Sequence, residues 1–215
     1  MEKRQYSRLD NIIMQIDAVL SESSKSHSEH IKREYPGRSV SESKLNEDEK
    51  KHISGLMRVN HAGEISAQAL YKAQALTAID NKLKETMKKS ADEEIDHLDW
   101  CEQRLDELGG RTSYLSPIWY LGSFGIGLLA GFFGDKSNLG FIAETEYQVV
   151  KHLDSHIEQL PENDERSRVI LEQMREDELH HATTAETNGA ENLPEGVKSL
   201  MTLVSKIMTK TAYYI

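Results

Sequence analysis

The sequence predicts an all-α bundle built on four long helices. Three observations lead there. From about residue 51 to about residue 187, apolar residues recur at alternating spacings of three and four, the period of a helix stripe. Turn-forming residues break that pattern at Asp80-Asn81, at Gly109-Gly110, over Pro161 to Asp164 and over Gly189 to Pro194. No stretch shows the strict apolar–polar alternation of a half-buried strand.

The elements follow in order. Residues 7–20 suit a short amphipathic helix through Leu9, Ile12, Ile13, Ile16 and Leu20. Residues 21–47 are rich in Ser, Glu and Lys and poor in apolar side chains, which predicts a mobile linker. The long helices are expected over roughly 51–79, 82–108, 137–160 and 165–187, with a last helix over roughly 195–213. The chain therefore divides into an N-terminal part, 1–47, and a bundle domain, 48–215.

Composition narrows the function classes. Lys and Arg number 26 against 36 Asp and Glu, a formal net charge of −10. That balance argues against a nucleic-acid binder, whose phosphate contacts need basic surface. The single cysteine, Cys101, allows no internal disulfide and fits a reducing compartment. It reads as a small core hydrophobe. The first 20 residues lack the apolar core and small-residue cleavage site of a secretory signal.

Each long helix has a seam of residues expected to face the core, and each seam carries a glutamate near its middle. The first runs Met57, Asn60, Glu64, Ala67, Tyr71, Gln74, Ala78, with Leu70 and Ala75 beside it. The second runs Met87, Ala91, Glu94, Leu98, Cys101, Leu105, Leu108. The third runs Leu139, Ile142, Glu146, Val149, Leu153, His156, Leu160. The fourth runs Leu171, Met174, Glu178, His181, Ala185. Glu94 and Glu178 each open a Glu-x-x-His, completed by His97 and His181. Glu64 precedes Glu94 by 30 residues and Glu146 precedes Glu178 by 32, so the chain reads as two helix pairs of one design.

Four carboxylates in a core cost several kcal/mol each, on the order of, unless a counter-charge is present. Lys and Arg are absent from the seams. Two divalent metal ions would supply the charge. Residues i and i+3 share a helix face, so each Glu-x-x-His can reach one metal centre. One Glu from each of two helices plus Glu-x-x-His from the other two is the donor set of ferritin-like di-iron and di-manganese carboxylate bundles. Hard oxygen donors mixed with imidazole suit iron or manganese. The expected fold is thus a ferritin-like four-helix bundle with additional membrane-interface helices. A third Glu-x-x-His, Glu49 with His52, has no symmetric partner and receives no role. His61, His152 and His156 are read as solvated or satisfied histidines, with a supporting hydrogen bond to a ligand as the sharper alternative. His180 faces about a hundred degrees away from His181 and is excluded as a ligand.

Residues 112–134 carry no charge and are long enough to span a bilayer. A span there would put Glu64, Glu94 and His97 on one side and Glu146, Glu178 and His181 on the other, and the centre could not assemble. Pro117 and five glycines also argue against a uniform spanning helix. A buried cross-bundle connection and a segment dipping into one leaflet remain. Tyr114, Trp119, Tyr120, Phe124, Phe132 and Phe133 suit a membrane interface. The last helix has an apolar face through Val197, Leu200, Met201, Val204, Ile207 and Met208, flanked by Lys198, Lys206 and Lys210. An interfacial helix, packing on the bundle and packing on a dimer partner are all open for it.

The blocks "RVNHAGE" (58–64), "EEIDHLDWCEQRLDELGGRTSYLSP" (93–117) and "REDELHHA" (175–182) resemble the bacterial branch of the demethoxyubiquinone hydroxylase family of ubiquinone biosynthesis. The resemblance covers about residues 50–215. It implies two iron ions held by Glu64, Glu94, His97, Glu146, Glu178 and His181. At the third position Glu144 stands close by, and the seam favours Glu146. The resemblance further implies a monooxygenase that uses O2 and electrons from NADH to hydroxylate the ring of a demethoxylated ubiquinol. Its expected surroundings are membrane lipid and a polyprenyl quinone, at the cytoplasmic side of a bacterial inner membrane, as a peripheral protein. Other ubiquinone-biosynthesis proteins and a second copy of the chain stay open as partners. Iron storage or detoxification, as in ferritins, is the alternative, since it shares the ligand logic. A helical protein whose Glu-x-x-His pairs are mere surface charges is a third reading.

Overall fold

The computed structural model describes residues 33–215 of the 215-residue chain, so the helix expected over 7–20 lies outside the described residues. Six α-helices follow a short 3-10 turn at Pro36–Ser39: α1 Glu47–Thr77, α2 Asn81–Glu107, α3 Ser116–Gly131, α4 Asp135–Gln159, α5 Glu165–Thr187 and α6 Glu195–Ala212. Among the described residues there is no strand. The bundle is α1, α2, α4 and α5, in two hairpins, α1–α2 and α4–α5.

Local chemistry sets the helix ends. Asn46 and Glu49 form a capping box at the start of α1, each side chain bonding the other's backbone N–H at 2.9 and 2.8 Å. Asp80 accepts from the N–H groups of Lys82 and Leu83 to start α2. Asp164 accepts from the N–H of Ser167 to start α5. Gly109, at φ +69°, ends α2 in the left-handed conformation that a Cβ disfavours. Asp135, at the start of α4, accepts from the N–H groups of Ile79 and Asp80 at 2.9 Å each. That contact ties the first hairpin's turn to the second hairpin.

The seams meet in layers. One apolar layer gathers Ile53, Met57, Trp100, Cys101, Leu105, Leu153, Leu171 and Met174. Another, further along, gathers Ala67, Tyr71, Met87, Ala91, Leu139, Ile142 and Ala185. Glu64, Glu94, Glu146 and Glu178 lie between the two in each helix, and all four are buried. The polar seam residues of α1 each find one partner across the bundle. Asn60 bonds His156 at 2.7 Å, and Gln74 donates to the Asn138 carbonyl at 3.3 Å.

Two findings depart from the expectations. The polar stretch before α1 is packed from Arg33 onward: Tyr35 is buried and donates to Glu107 at 3.0 Å, and Arg166 donates to the Val40 carbonyl. These bonds reach residues far along the chain, which the local composition of a predicted linker cannot reveal. The uncharged run forms one uninterrupted helix, α3, despite its glycines. Pro117 sits in its first turn, where its missing N–H costs nothing. Gly127 and Gly131 face α1: a Cβ at Gly127 would come within 2.9 Å of the Leu70 carbonyl oxygen, and one at Gly131 within 1.7 Å of Thr77 Oγ1. The glycines bring α3 close onto α1 instead of breaking it. No helix among the described residues is long and apolar enough to cross a membrane.

Candidate metal centre

All six sequence-predicted site residues converge. Glu64, Glu94, His97 and Glu178 form one group, and Glu94, Glu146, Glu178 and His181 form a second. In each, the donor atoms lie within 4.8 Å of one another. Glu94 and Glu178 belong to both groups, so each carboxylate is shared between them. The i, i+3 spacing works as expected: His97 Nδ1 is 3.1 Å from Glu94 Oε2, and His181 Nδ1 is 3.2 Å from Glu178 Oε2. Contacts also cross the bundle. His97 Nδ1 is 3.0 Å from Glu178 Oε1 and 3.6 Å from Glu64 Oε2, and His181 Nδ1 is 3.5 Å from Glu94 Oε1.

The electrostatics ask for added positive charge. Burial, followed by the charge of Glu178, holds the Glu64 carboxyl well above the usual carboxylate range. The same two causes raise Glu146. Burial would lower His181, but hydrogen bonds to Glu178 and Glu93 outweigh it and push the imidazole up to about 11. His97 is likewise raised, against burial, by Asp177 and Glu178. Without an ion the cluster can be stable only by holding protons on acids and imidazoles; cations in the same volume would replace them. Glu146 Oε2 has no hydrogen-bond partner, and Glu94 Oε1 makes no closer approach than that to His181. Oxygen-rich donors with two imidazoles, unpartnered oxygens and a shared pair of carboxylates fit a pair of iron or manganese ions.

Neighbours fix the donors. Tyr71 donates to Glu146 Oε1 at 2.6 Å. Each imidazole turns Nε2 outward onto an acid: His97 to Asp177 at 2.9 Å and His181 to Glu93 at 2.8 Å. These acids were missed by the seam reading, although each directly precedes a seam glutamate, Asp177 before Glu178 and Glu93 before Glu94. Glu144 points away from the centre, accepting from Gln148 and pairing with Lys198. His180 is exposed, as expected. His61 is buried rather than solvated; its Nε2 lies 3.1 Å from Glu102 on α2. His156 is held neutral, down at about 4, by burial and then by the charges of His152 and His52. Glu49 is a helix cap, and His52 bonds the Tyr213 hydroxyl at 2.7 Å. Neither approaches the centre.

Beside the centre lies a cavity of about 340 Å3, within the ~300–1,000 Å3 of small-molecule sites. Its walls are α1, α3, α4 and α6, mostly apolar, through Ala67, Leu70, Ile126, Val149, Leu200 and Val204. Glu64, Asn60 and His152 reach its surface. Its mouth adjoins an apolar outer face. Leu129 is 64 % exposed, Phe132 77 %, Phe133 79 % and Leu200 60 %.

Comparison with known proteins shows the family of the chain. The model of the family "Ubiquinone biosynthesis protein COQ7" matches residues 51–212. A "3-demethoxyubiquinol 3-hydroxylase" of Legionella pneumophila (strain Corby) is 52% identical over 212 residues, covering 99% of this chain and 100% of that protein. Proteins of the same name from Stutzerimonas stutzeri (strain A1501) and Nitrosococcus oceani are 52% identical over 213 residues and 50% identical over 215, each across 99% or more of both chains. With buried Glu and His in two duplicated helix pairs and likeness along its whole length, the chain belongs to the COQ7 family of ubiquinone biosynthesis proteins.

Proposed function

We propose that the chain is a 3-demethoxyubiquinol 3-hydroxylase that works with two iron ions held by Glu64, Glu94, His97, Glu146, Glu178 and His181. The observation that carries this reading is the direct contact between the donor cluster and an apolar cavity, through Glu64. The relatives' name supplies the substrate, a demethoxylated ubiquinol. In the reaction one ring C–H becomes C–OH. The second oxygen atom of O2 leaves as water, with two electrons from a reductant, here NADH, and two protons, one from NADH and one from the medium. Bound iron supplies the redox chemistry that activates O2.

The chain's own residues do the rest. The apolar walls exclude water and hold the ring near Glu64. Asn60 is buried one turn before Glu64 on α1. Its Oδ1 is engaged with His156, and its Nδ2 is without a partner, a donor suited to a ring oxygen. Tyr71, Asp177 and Glu93 fix the orientation of Glu146, His97 and His181. The exposed apolar side chains of α3 and α6 would seat in one leaflet, so that a polyprenyl quinone enters without passing through water. This supports reading the enzyme as a peripheral protein on the cytoplasmic face of a bacterial inner membrane. Iron storage would need no ring-sized apolar cavity beside the donors.

The test is turnover of the iron-loaded protein with a short-chain demethoxylated quinol under 18O2. One labelled oxygen atom in the ring hydroxyl is expected. Loaded protein that oxidises iron but leaves the quinol unchanged would favour storage and contradict the reading.

A further inference from the structure

The two imidazoles of the centre have matched inner partners but unequal outer ones. Each Nε2 meets an acid from the opposing helix, Asp177 for His97 and Glu93 for His181. Beyond that exchange the likeness ends. Asp177 is gripped by Arg33 through two bonds, Nη1 to Oδ2 at 2.6 Å and Nη2 to Oδ1 at 3.3 Å. Gln173 donates to the same carboxylate at 3.2 Å. The Arg33 guanidinium lies 4.8 Å from the centroid of the Trp100 ring, and Trp100 is buried 5.3 Å from the His97 ring. Among the described residues, beyond His181, Glu93 pairs with Lys89 at 3.3 Å, whose side chain is 79 % exposed. A solvated Lys–Glu pair fixes little, because screening and side-chain entropy nearly cancel its attraction. A two-bond guanidinium–carboxylate pair over an aromatic face fixes both partners.

Arg33 comes from the segment before α1 and lies ahead of the residues that the family model matches, 51–212. Tyr35, bonded to Glu107, and Glu42, bonded to Arg104, hold that segment in place. We propose that Arg33 is a positioning residue for the iron at His97, making it the slowly exchanging position and leaving the iron at His181 the labile one. The proposal rests on the di-iron reading above. Without the guanidinium, the Asp177 carboxylate loses two of its bonds and keeps the weaker one from Gln173, so the outer partner of the His97 ring is less firmly fixed. Such outer partners change metal affinity by about 10–100-fold.

The test uses reduced, iron-loaded, full-length protein mixed anaerobically with excess ferrous chelator, and reads iron release against time. Wild type should release one iron quickly and one slowly. Arg33→Ala should speed the slow phase by about tenfold or more and leave the fast phase unchanged. It should also alter one of the two Mössbauer quadrupole doublets, which a merely structural loosening would not do selectively. Arg33→Lys should restore part of the slow phase. Glu93→Gln should act on the fast phase alone, which keeps the proposal testable if Arg33→Ala folds poorly. Tyr35→Phe loosens the same segment without touching Asp177 and should leave both phases in place. The proposal is overturned if wild type releases both irons in one phase, if Arg33→Ala superimposes on wild type, or if Tyr35→Phe acts as strongly as Arg33→Ala. Wild type that takes up no iron would overturn the di-iron reading as well, whereas two irons in a single phase sink this proposal alone.

Discussion

Glu49 and Glu178 open the same four-residue pattern and do unlike work. Glu178 is buried between two donor groups, while Glu49 closes a capping box at the surface. Glu178→Ala should abolish hydroxylation and iron uptake while the helical circular dichroism signal survives. Glu49→Ala should keep both iron atoms and lose about 1 kcal/mol, a fall in Tm of about 2–4 °C. Parallel loss of iron in both variants would mean that helix face does not select the ligands. His156 makes a second residue-scale prediction. Its folded pKa, about 4, lies below the ordinary 6.5, so the unfolded chain takes up the proton first as pH falls. The stability it contributes is present above about 6.5 and is lost on descending toward 4. Between pH 7 and pH 5 that loss is on the order of 2 kcal/mol. His156→Gln, which keeps a partner for Asn60, should flatten this slope in urea unfolding of the iron-loaded protein. An unchanged slope would show that other groups set it.

At the scale of elements, the four bundle helices were readable because one side of each faces the core and the other faces water or a covering helix. The seam of α2 is buried from Met87 to Leu108 as its spacing requires. Helix α1 was less readable. It is buried on nearly every side, under α3 and α6 as well as against α2 and α4, so Ile65, Ala69 and Ala73 add apolar positions that blur a single stripe. The segment 33–46 was not readable at all, because Arg33, Glu42 and Tyr35 find their partners at Asp177, Arg104 and Glu107. Helix α3 was readable in length and apolarity but not in placement, which depends on Gly127 and Gly131 meeting α1. The exposed turn at its C-terminal end carries an element-scale prediction. Phe132→Ser with Phe133→Ser should weaken binding to phosphatidylcholine–phosphatidylglycerol vesicles about a hundredfold, from roughly 1.5 kcal/mol per inserted side chain. Iron content should stay the same. Unchanged partition would remove α3 from the membrane contact.

Across the whole molecule, two hairpins of one design bring their mid-seam acids into a layer bounded by apolar packing on either side. The duplication in sequence made that layer legible: near-equal spacing along two helix pairs places similar depths together. The exchange of outer partners, Asp177 to His97 and Glu93 to His181, depends on the register between opposing helices, which no single seam encodes. Arg104 was hidden for the same reason. It is fully buried, yet its charge is met by Asp164, Glu42 and Glu107, each from a different turn or element. The central claim is that the shared carboxylates Glu94 and Glu178 lie between two metal ions. Anomalous diffraction at the iron edge, on crystals of the reduced, iron-loaded protein, tests it most directly. The account predicts two peaks about 3.5–4 Å apart, one against Glu64 and His97, the other against Glu146 and His181, with Glu94 and Glu178 touching both. A single peak, or peaks away from these six side chains, would contradict it.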